Sequence, residues 1–211
     1  MQAMLRARSE DAKDERRLAL LHAALDEFFE KGFAATRMAD IAKRAGLSKG
    51  TLYLYFESKE GMFRDLIETL AMPNIERIGQ VAGAADSFEQ AMDGLCLLAP
   101  EFIRNSDMPR LMKVLIGDAH MFPQVVHEYR TDLVERVLSI MAGMLCRAHE
   151  TGEIHVESPE LTARIVIAPV VLSGIWQAMF GHQRDAEVDL ERLFQTHKNI
   201  VLQGLKTGAP E

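Results

Sequence analysis

A chain of 211 residues that is 48% hydrophobic, with 14 glycines and 7 prolines, can bury a real core in one large or two small domains. Its formal net charge of −7 is unevenly spread: residues 1–60 hold eleven Lys/Arg against ten Asp/Glu, and the remainder thirteen against twenty-one. That balance excludes general coating of nucleic acid and leaves room only for a local basic face.

Residues 1–14 are polar and charged, without a sustained period, and read as a flexible arm. With Arg6, Arg8, Glu10 and Asp11 they hold no apolar core of a signal peptide. Arg6 and Arg8 belong either to a solvated tail or to a basic arm that reaches a minor groove. From Arg16 the pattern sharpens: Leu18, Leu21, Leu25 and Phe28 recur at three and four, with Ala24 and Phe29 beside them. This predicts an amphipathic helix closed by Lys31-Gly32, a cation and then a glycine. His22 lies off the stripe and is a surface residue.

Thr36 to Lys59 reads as two short helices around a tight turn. Thr36 is the expected N-cap of the first, and Met38, Ile41, Ala42 and Ala45 share one of its faces. Gly46 follows where a chain leaving a helix needs positive φ. Ser48 is the expected cap of the second helix, with Leu52 and Phe56 spaced i, i+4 on its inner side. Ala42 is small where the two helices must cross. A helix, a short turn with Gly and a second helix make the helix-turn-helix unit, whose second helix enters the major groove.

The outer face of that second helix carries Lys49, Gly50, Tyr53 and Leu54, flanked by Thr51 and Tyr55. Such a face is odd for a merely solvated surface, although an ordinary packed helix in an all-α domain would carry it too. It suits a backbone that approaches DNA at Gly50, Tyr hydroxyls that reach phosphates and an apolar Leu54 on a thymine methyl. Within Thr36–Lys59 the charge is five (Arg37, Lys43, Arg44, Lys49, Lys59) against two (Asp40, Glu57). Lys59 opens the next helix, where its charge opposes the dipole, which suggests a phosphate partner. Ser48, Lys49, Gly50, Thr51, Tyr53 and Leu54 are therefore candidates for groove contact, and Thr36, Tyr55 and Lys59 for phosphate positioning.

The run AALDEFFEKGFAATRMADIAKRAGLSKGTLYLYFESKEGMF, within Arg16 to Phe63, resembles the DNA-binding domain of the TetR family of bacterial transcriptional regulators. The resemblance implies an all-α protein with an N-terminal three-helix DNA-binding domain over 15–60. It also implies a helical C-terminal domain over 61–211 that binds a small-molecule effector and dimerises. A shift of the helix after Lys59 would then alter the separation of two reading heads. Family members usually carry an aromatic or polar residue near Leu54, so apolar contact or shape reading stands in for hydrogen-bond readout there.

That linking helix is expected to stop at Met72-Pro73. Further helices are expected over Ser87–Asn105 with a kink at Pro100, over Asp107 to about Met121, over Pro123–Glu150, from Ser158-Pro159-Glu160 to Phe180, and from about Asp189 onward. The helix to Phe180 is apolar nearly all round, so one face needs a cover beyond its own domain. A homodimer through 161–180 and 189–205 supplies it; central burial in one large core is the alternative. Its stretch Ile165–Phe180, broken by Pro169, Ser173, Gly174 and Gln177, reads as too short and interrupted for a membrane span.

Candidates for an adaptable effector pocket are Phe88, Met92, Phe102, Met112, Met121, Phe122, Met141, Met144 and Trp176, although methionines at helical spacing also serve as plain core. Cys96 and Cys146 give no disulfide framework and no metal spacing, which fits a reducing cytoplasm; a regulatory disulfide between them stays open. The histidines His120, His127, His149 and His155 lack ligand partners at metal spacing, so neither a metal nor another cofactor is expected. No Ser–His–Asp or phosphate-loop constellation is present. The reading is a cytoplasmic, homodimeric repressor of a pseudo-palindromic double-stranded operator, released by a small hydrophobic or amphipathic effector. An activator of the same kind, or a helical enzyme or ligand carrier with a vestigial N-terminal domain, are the alternatives.

Overall fold

The computed structural model describes residues 2–206, with side chains from Ala12 onward, and no strand occurs among them. The chain divides into two compact units: Met1–Thr69 with Lys113–His127, and Leu70–Met112 with Glu128–Glu211. This differs from the expected contiguous division at residue 60, because a segment far along the chain completes the first unit.

The first unit begins with α1 (Gln2–Lys31), then α2 (Met38–Arg44), α3 (Lys49–Tyr53) and the opening turns of α4 (Lys59–Ala84). Helix α1 starts well before Arg16, since no Gly or Pro interrupts the chain until Gly32; this replaces the irregular arm expected over 1–14. The side chains of Arg6 and Arg8 lie outside those described. Gly32 stops the helix at φ 82°, a conformation that costs a residue with Cβ. Leu21, Ala24, Leu25 and Phe28 are buried as expected, while Leu18 lies at the edge of the stripe and stays exposed, with Leu20 buried instead. Phe28, Phe33 and Phe63 meet Phe122 in one aromatic cluster: the Phe33 and Phe122 rings are 4.5 Å apart and Phe63 and Phe122 5.0 Å. Asp118 reinforces this by accepting from the Phe33 N–H at 2.7 Å.

The second unit holds the rest of α4, α5 (Phe88–Asn105), the first half of α6 (Met108–Asp118), α8 (Glu135–Glu150), α9 (Pro159–Phe180) and α10 (Leu190–Leu205); α7 (Pro123–Glu128) belongs with the first. Helix α4 runs through Pro73 instead of stopping there; the Asn74 side-chain amide donates to the Leu70 carbonyl at 2.7 Å in the turn that proline disturbs. The long helix expected over Pro123–Glu150 is broken by a π-helical turn at Tyr129–Val134, where Glu135 N–H reaches back to Arg130 O. Ser87, Ser158 and Asp189 cap α5, α9 and α10 by accepting from Gln90, Leu161 and Arg192 N–H groups. Helices α5, α8, α9 and α10 pack around a core of Phe88, Met92, Met141, Met144, Leu145 and Val166.

Helix α9 is longer than the apolar stretch read from sequence. At 22 residues it spans about 33 Å and is, among the described residues, the one helix apolar and long enough by composition to cross a membrane. Its Ala163, Val166, Ser173 and Gly174 are nevertheless buried in the packing of this unit, so one of its faces is a core face.

Candidate nucleic-acid interface

The turn between α2 and α3 is set by backbone geometry. Gly46 takes φ 69°, its N–H donates to Lys43 O at 3.1 Å, and Leu47 N–H donates to Ala42 O at 2.9 Å. These two bonds form a Schellman closure that satisfies carbonyls at the end of α2 and aims the chain into α3. Ser48 then caps α3: its Oγ accepts from Thr51 N–H at 3.0 Å and lies 2.8 Å from the Thr51 hydroxyl. Leu52 and Phe56 are buried, as are Ile41 and Ala42 opposite them. Helix α3 ends at Tyr53, shorter than its expected extent, although Phe56 N–H still bonds Leu52 O at 3.0 Å.

The outer face emerges as the spacing implied. Ser48, Lys49, Gly50, Tyr53 and Leu54 are exposed, with Thr51 and Tyr55 half-buried at its edges. Leu54 is 81% exposed and Tyr53 45%, and the Lys49 ammonium stands 5.7 Å from the Tyr53 ring centre. A Cβ added at Gly50 would meet only Ser48 Oγ, at 3.7 Å, so nothing in the fold itself requires a glycine there.

The expected phosphate contact at Thr36 is corrected, and Lys59 bonds within the head. Thr36 does not cap α2; Arg37 holds the cap position without a side-chain bond. Thr36 is 2% exposed, and its hydroxyl lies 3.0 Å from Glu27 O and 2.8 Å from Gly32 O, closing the end of α1. A buried hydroxyl spent on carbonyls faces no phosphate. The Lys59 ammonium donates to Phe33 O at 2.7 Å and Ala34 O at 3.3 Å and sits 4.7 Å from the Phe33 ring centre, so it clamps the α1–α2 turn first.

Arg44 is committed to ion pairs within the head. Its guanidinium bonds Glu27 Oε1 at 2.7 Å and grips Glu30 in a two-point pair, while Lys31 Nζ stands 2.5 Å from the other Glu27 oxygen. Glu27 is 3% exposed, so its charge depends on these cations. Arg44→Ala is expected to destabilise the first unit by about 1–3 kcal/mol, because it strips a partner from a buried carboxylate; urea unfolding measures it. Of the five cations in Thr36–Lys59, Arg37, Lys43 and Lys49 are exposed and outside these ion pairs.

The expected effector residues divide. Met92, Phe102, Met112 and Met141 line one apolar cavity of about 190 Å³ in the second unit. Phe88 and Met144 are instead closed into the core. Met121 is 50% exposed in the first unit, and Phe122 lies in its aromatic cluster, because Pro123 breaks the helix there and turns Phe122 inward. Trp176 is 40% exposed, donating its indole N–H to Ala186 O at 2.8 Å, and takes no part in the cavity wall. The sequence reading missed Tyr129, Cys96 and His197 on that wall. Burial pushes the Cys96 thiol up to about 11, so it is a neutral wall group. Among the described residues no His, Cys, Asp and Glu cluster is arranged to hold a metal.

A three-helix head with an exposed, partly apolar and locally basic recognition helix, followed by a helical unit around a cavity, defines a helix-turn-helix regulator of transcription. The model described as bacterial regulatory proteins, tetR family, matches residues 20–66, and that of the AefR-like transcriptional repressor C-terminal domain matches 90–196; the chain belongs to the TetR family. YfiR of Bacillus subtilis (strain 168), an HTH-type transcriptional regulator, is 46% identical over 61 residues, which cover 29% of this chain and only 30% of YfiR. The transcriptional repressor BepR of Brucella suis biovar 1 (strain 1330) is 29% identical over 180 residues, covering 79% of this chain and 81% of BepR. The fold is also that of the triclosan complex of SmeT, the repressor of a Stenotrophomonas maltophilia multidrug efflux pump, with a TM-score of 0.72, 21% identity, and 92% and 93% of the two chains covered.

Proposed function

We propose that the chain is a homodimeric repressor that reads a pseudo-palindromic operator through α3 and releases it when an effector fills the cavity of the second unit. The single observation that carries the DNA contact is the outer face of α3, where Lys49, Gly50, Tyr53 and Leu54 stand exposed around a backbone that no side chain shields. Lys49 and the Tyr hydroxyls supply donors to phosphates, and Leu54 an apolar surface for a thymine methyl. Ser48 and Thr51 act first by fixing the start of the helix. The BepR and SmeT names support repression, and the triclosan complex of SmeT supports an effector of small apolar character. The partner is genomic DNA, so the protein works in the cytoplasm; no catalytic step is assigned to it.

The dimer reading rests on α9. Leu161, Ile165, Ala168, Leu172, Trp176 and Met179 follow one another at three and four residues and are all exposed, opposite the buried Ala163, Val166, Ser173 and Gly174. Ile200 of α10 is 64% exposed as well. An apolar seam of this kind, on a helix whose other face is already packed, fits a second copy of the same helices about a two-fold axis. Two reading heads would then meet half-sites about 34–36 Å apart or a multiple of that.

Selection of bound duplexes from a random pool tests the proposal; it expects a two-fold symmetric consensus, and a folded, ligand-stripped dimer that enriches nothing refutes it. Lys43→Ala should flatten the salt dependence of operator binding by about 0.9 unit for each phosphate that the lysine neutralises, while leaving stability within about 0.5 kcal/mol. An unchanged slope removes Lys43 from the interface.

A further inference from the structure

We infer that the cavity of the second unit is made for a neutral, largely apolar molecule with one oxygen function, and that the Tyr129 hydroxyl, presented by the π-helical turn, recognises that oxygen. The inference rests on the effector reading above and names the effector's chemistry.

The wall is apolar almost throughout, so the few polar groups on it decide what enters. Most already hold one bond within the fold. The Asn74 amide donates to Leu70 O at 2.7 Å, and the His197 Nε2–H donates to Val166 O at 2.9 Å. The Arg77 guanidinium is paired with Glu101 at 2.9 Å, so its charge is compensated before any ligand arrives. The Cys96 thiol is neutral. Tyr129 is different: its side chain is half-buried on the wall, and its hydroxyl has no hydrogen-bond partner among the described residues. A phenol on this wall that no protein group engages is free to bond a ligand oxygen.

The backbone points to the same place. The turn Tyr129–Val134 is π-helical, the only such segment among the described residues, and Tyr129, Leu133 and Val134 from it all line the cavity. A π turn is rare, holds one more residue than an α turn and is found disproportionately at functional sites. Here it widens the helix where it meets the cavity and brings residues five apart to the same wall. Burial raises the Tyr129 phenol above its ordinary range, so it stays protonated and can donate to a carbonyl or accept from a hydroxyl. A carboxylate would enter an apolar space where the nearby cations Arg77 and Lys198 are already paired, with Glu101 and Asp93, which disfavours an anion.

The test is isothermal titration of the full chain and of Tyr129→Phe with 2-nonanone, nonane and nonanoate, alongside the melting temperature of each protein without ligand. The unliganded variant should melt as the wild type does, because Tyr→Phe keeps the ring and its packing. Wild type should bind the ketone more tightly than either other probe, and Tyr129→Phe should weaken ketone binding roughly tenfold with nonane unchanged. Equal weakening for ketone and nonane reduces Tyr129 to packing and overturns its role. Tighter binding of nonanoate than of the ketone overturns the neutral assignment. If wild type binds none of the three, the effector reading of the cavity falls as well.

Discussion

Gly50→Ala is expected to make the protein more stable and a worse DNA binder at once. Gly50 has no positive φ, and a Cβ there meets only Ser48 Oγ at an ordinary 3.7 Å. In a helix, Ala in place of Gly gains about 0.5–1 kcal/mol through the smaller conformational entropy lost on folding. The same methyl points from the face of α3 proposed to lie against the groove, where it holds the backbone away from the duplex. Operator affinity should fall at least about tenfold, a loss of about 1.4 kcal/mol. Thermal unfolding and a binding isotherm at one fixed salt concentration read the two effects separately. Undiminished affinity in the variant would take Gly50 out of the interface. The opposite signs make the test informative, since a merely structural glycine would lose both properties together.

Charge on the α9 seam should have the largest effect of all. Ile165 and Leu172 are each 65% exposed, so Ile165→Asp or Leu172→Asp leaves the core of the unit untouched. Across a two-fold axis each substitution appears twice, placing like charges where an apolar seam would close and removing about 1.5–3 kcal/mol of burial for each side chain replaced. The expected product is a folded monomer with the wild-type helical content. Because two linked heads gain their affinity from effective concentration, operator binding should drop by about 10²-fold or more. Sedimentation equilibrium and the same binding isotherm measure both. A variant that remains dimeric with full operator affinity would refute α9 as the interface and move the search for a cover elsewhere.

How far the site could be read from the chain depended on how local its determinants were. Gly46 and Ser48 act within five residues of themselves, through a positive φ and a single side-chain bond, so the turn and the start of α3 were legible. So was the exposed face of Lys49, Gly50, Tyr53 and Leu54, because helical spacing alone puts these residues opposite Leu52. The bonds of Thr36 and Lys59 were not legible for the converse reason. A threonine before a helix looks like a cap, but the carbonyls of Glu27 and Gly32 come close enough to take its hydroxyl only once α1 is folded. Lys59 finds Phe33 O and Ala34 O across more than twenty residues of chain, and no spacing rule anticipates that bond.

The cavity shows the same divide. Methionine content suggested an adaptable pocket, and Met92, Met112 and Met141 do line one, but Met144 is core and Met121 is solvent-facing in the other unit. Which apolar side of a helix meets a void and which meets another helix depends on how several helices pack, and that information is not in any one of them. The π turn at Tyr129–Val134 is likewise invisible to periodicity, which reads Pro123–Glu150 as a single helix.

By itself the sequence determined an all-helical chain, a helix-turn-helix head with the exposed face of its second helix, and an apolar helix with more apolar surface than one core face needs, since each follows from periodicity, capping and glycine geometry over short spans. Only the tertiary structure decided that residues 113–127 complete the head, that Arg44 and Lys59 bond within the fold, and that Tyr129 stands on the wall of the cavity. Those outcomes depend on contacts between residues distant in the chain, where burial and the competition for hydrogen-bond partners override local preference.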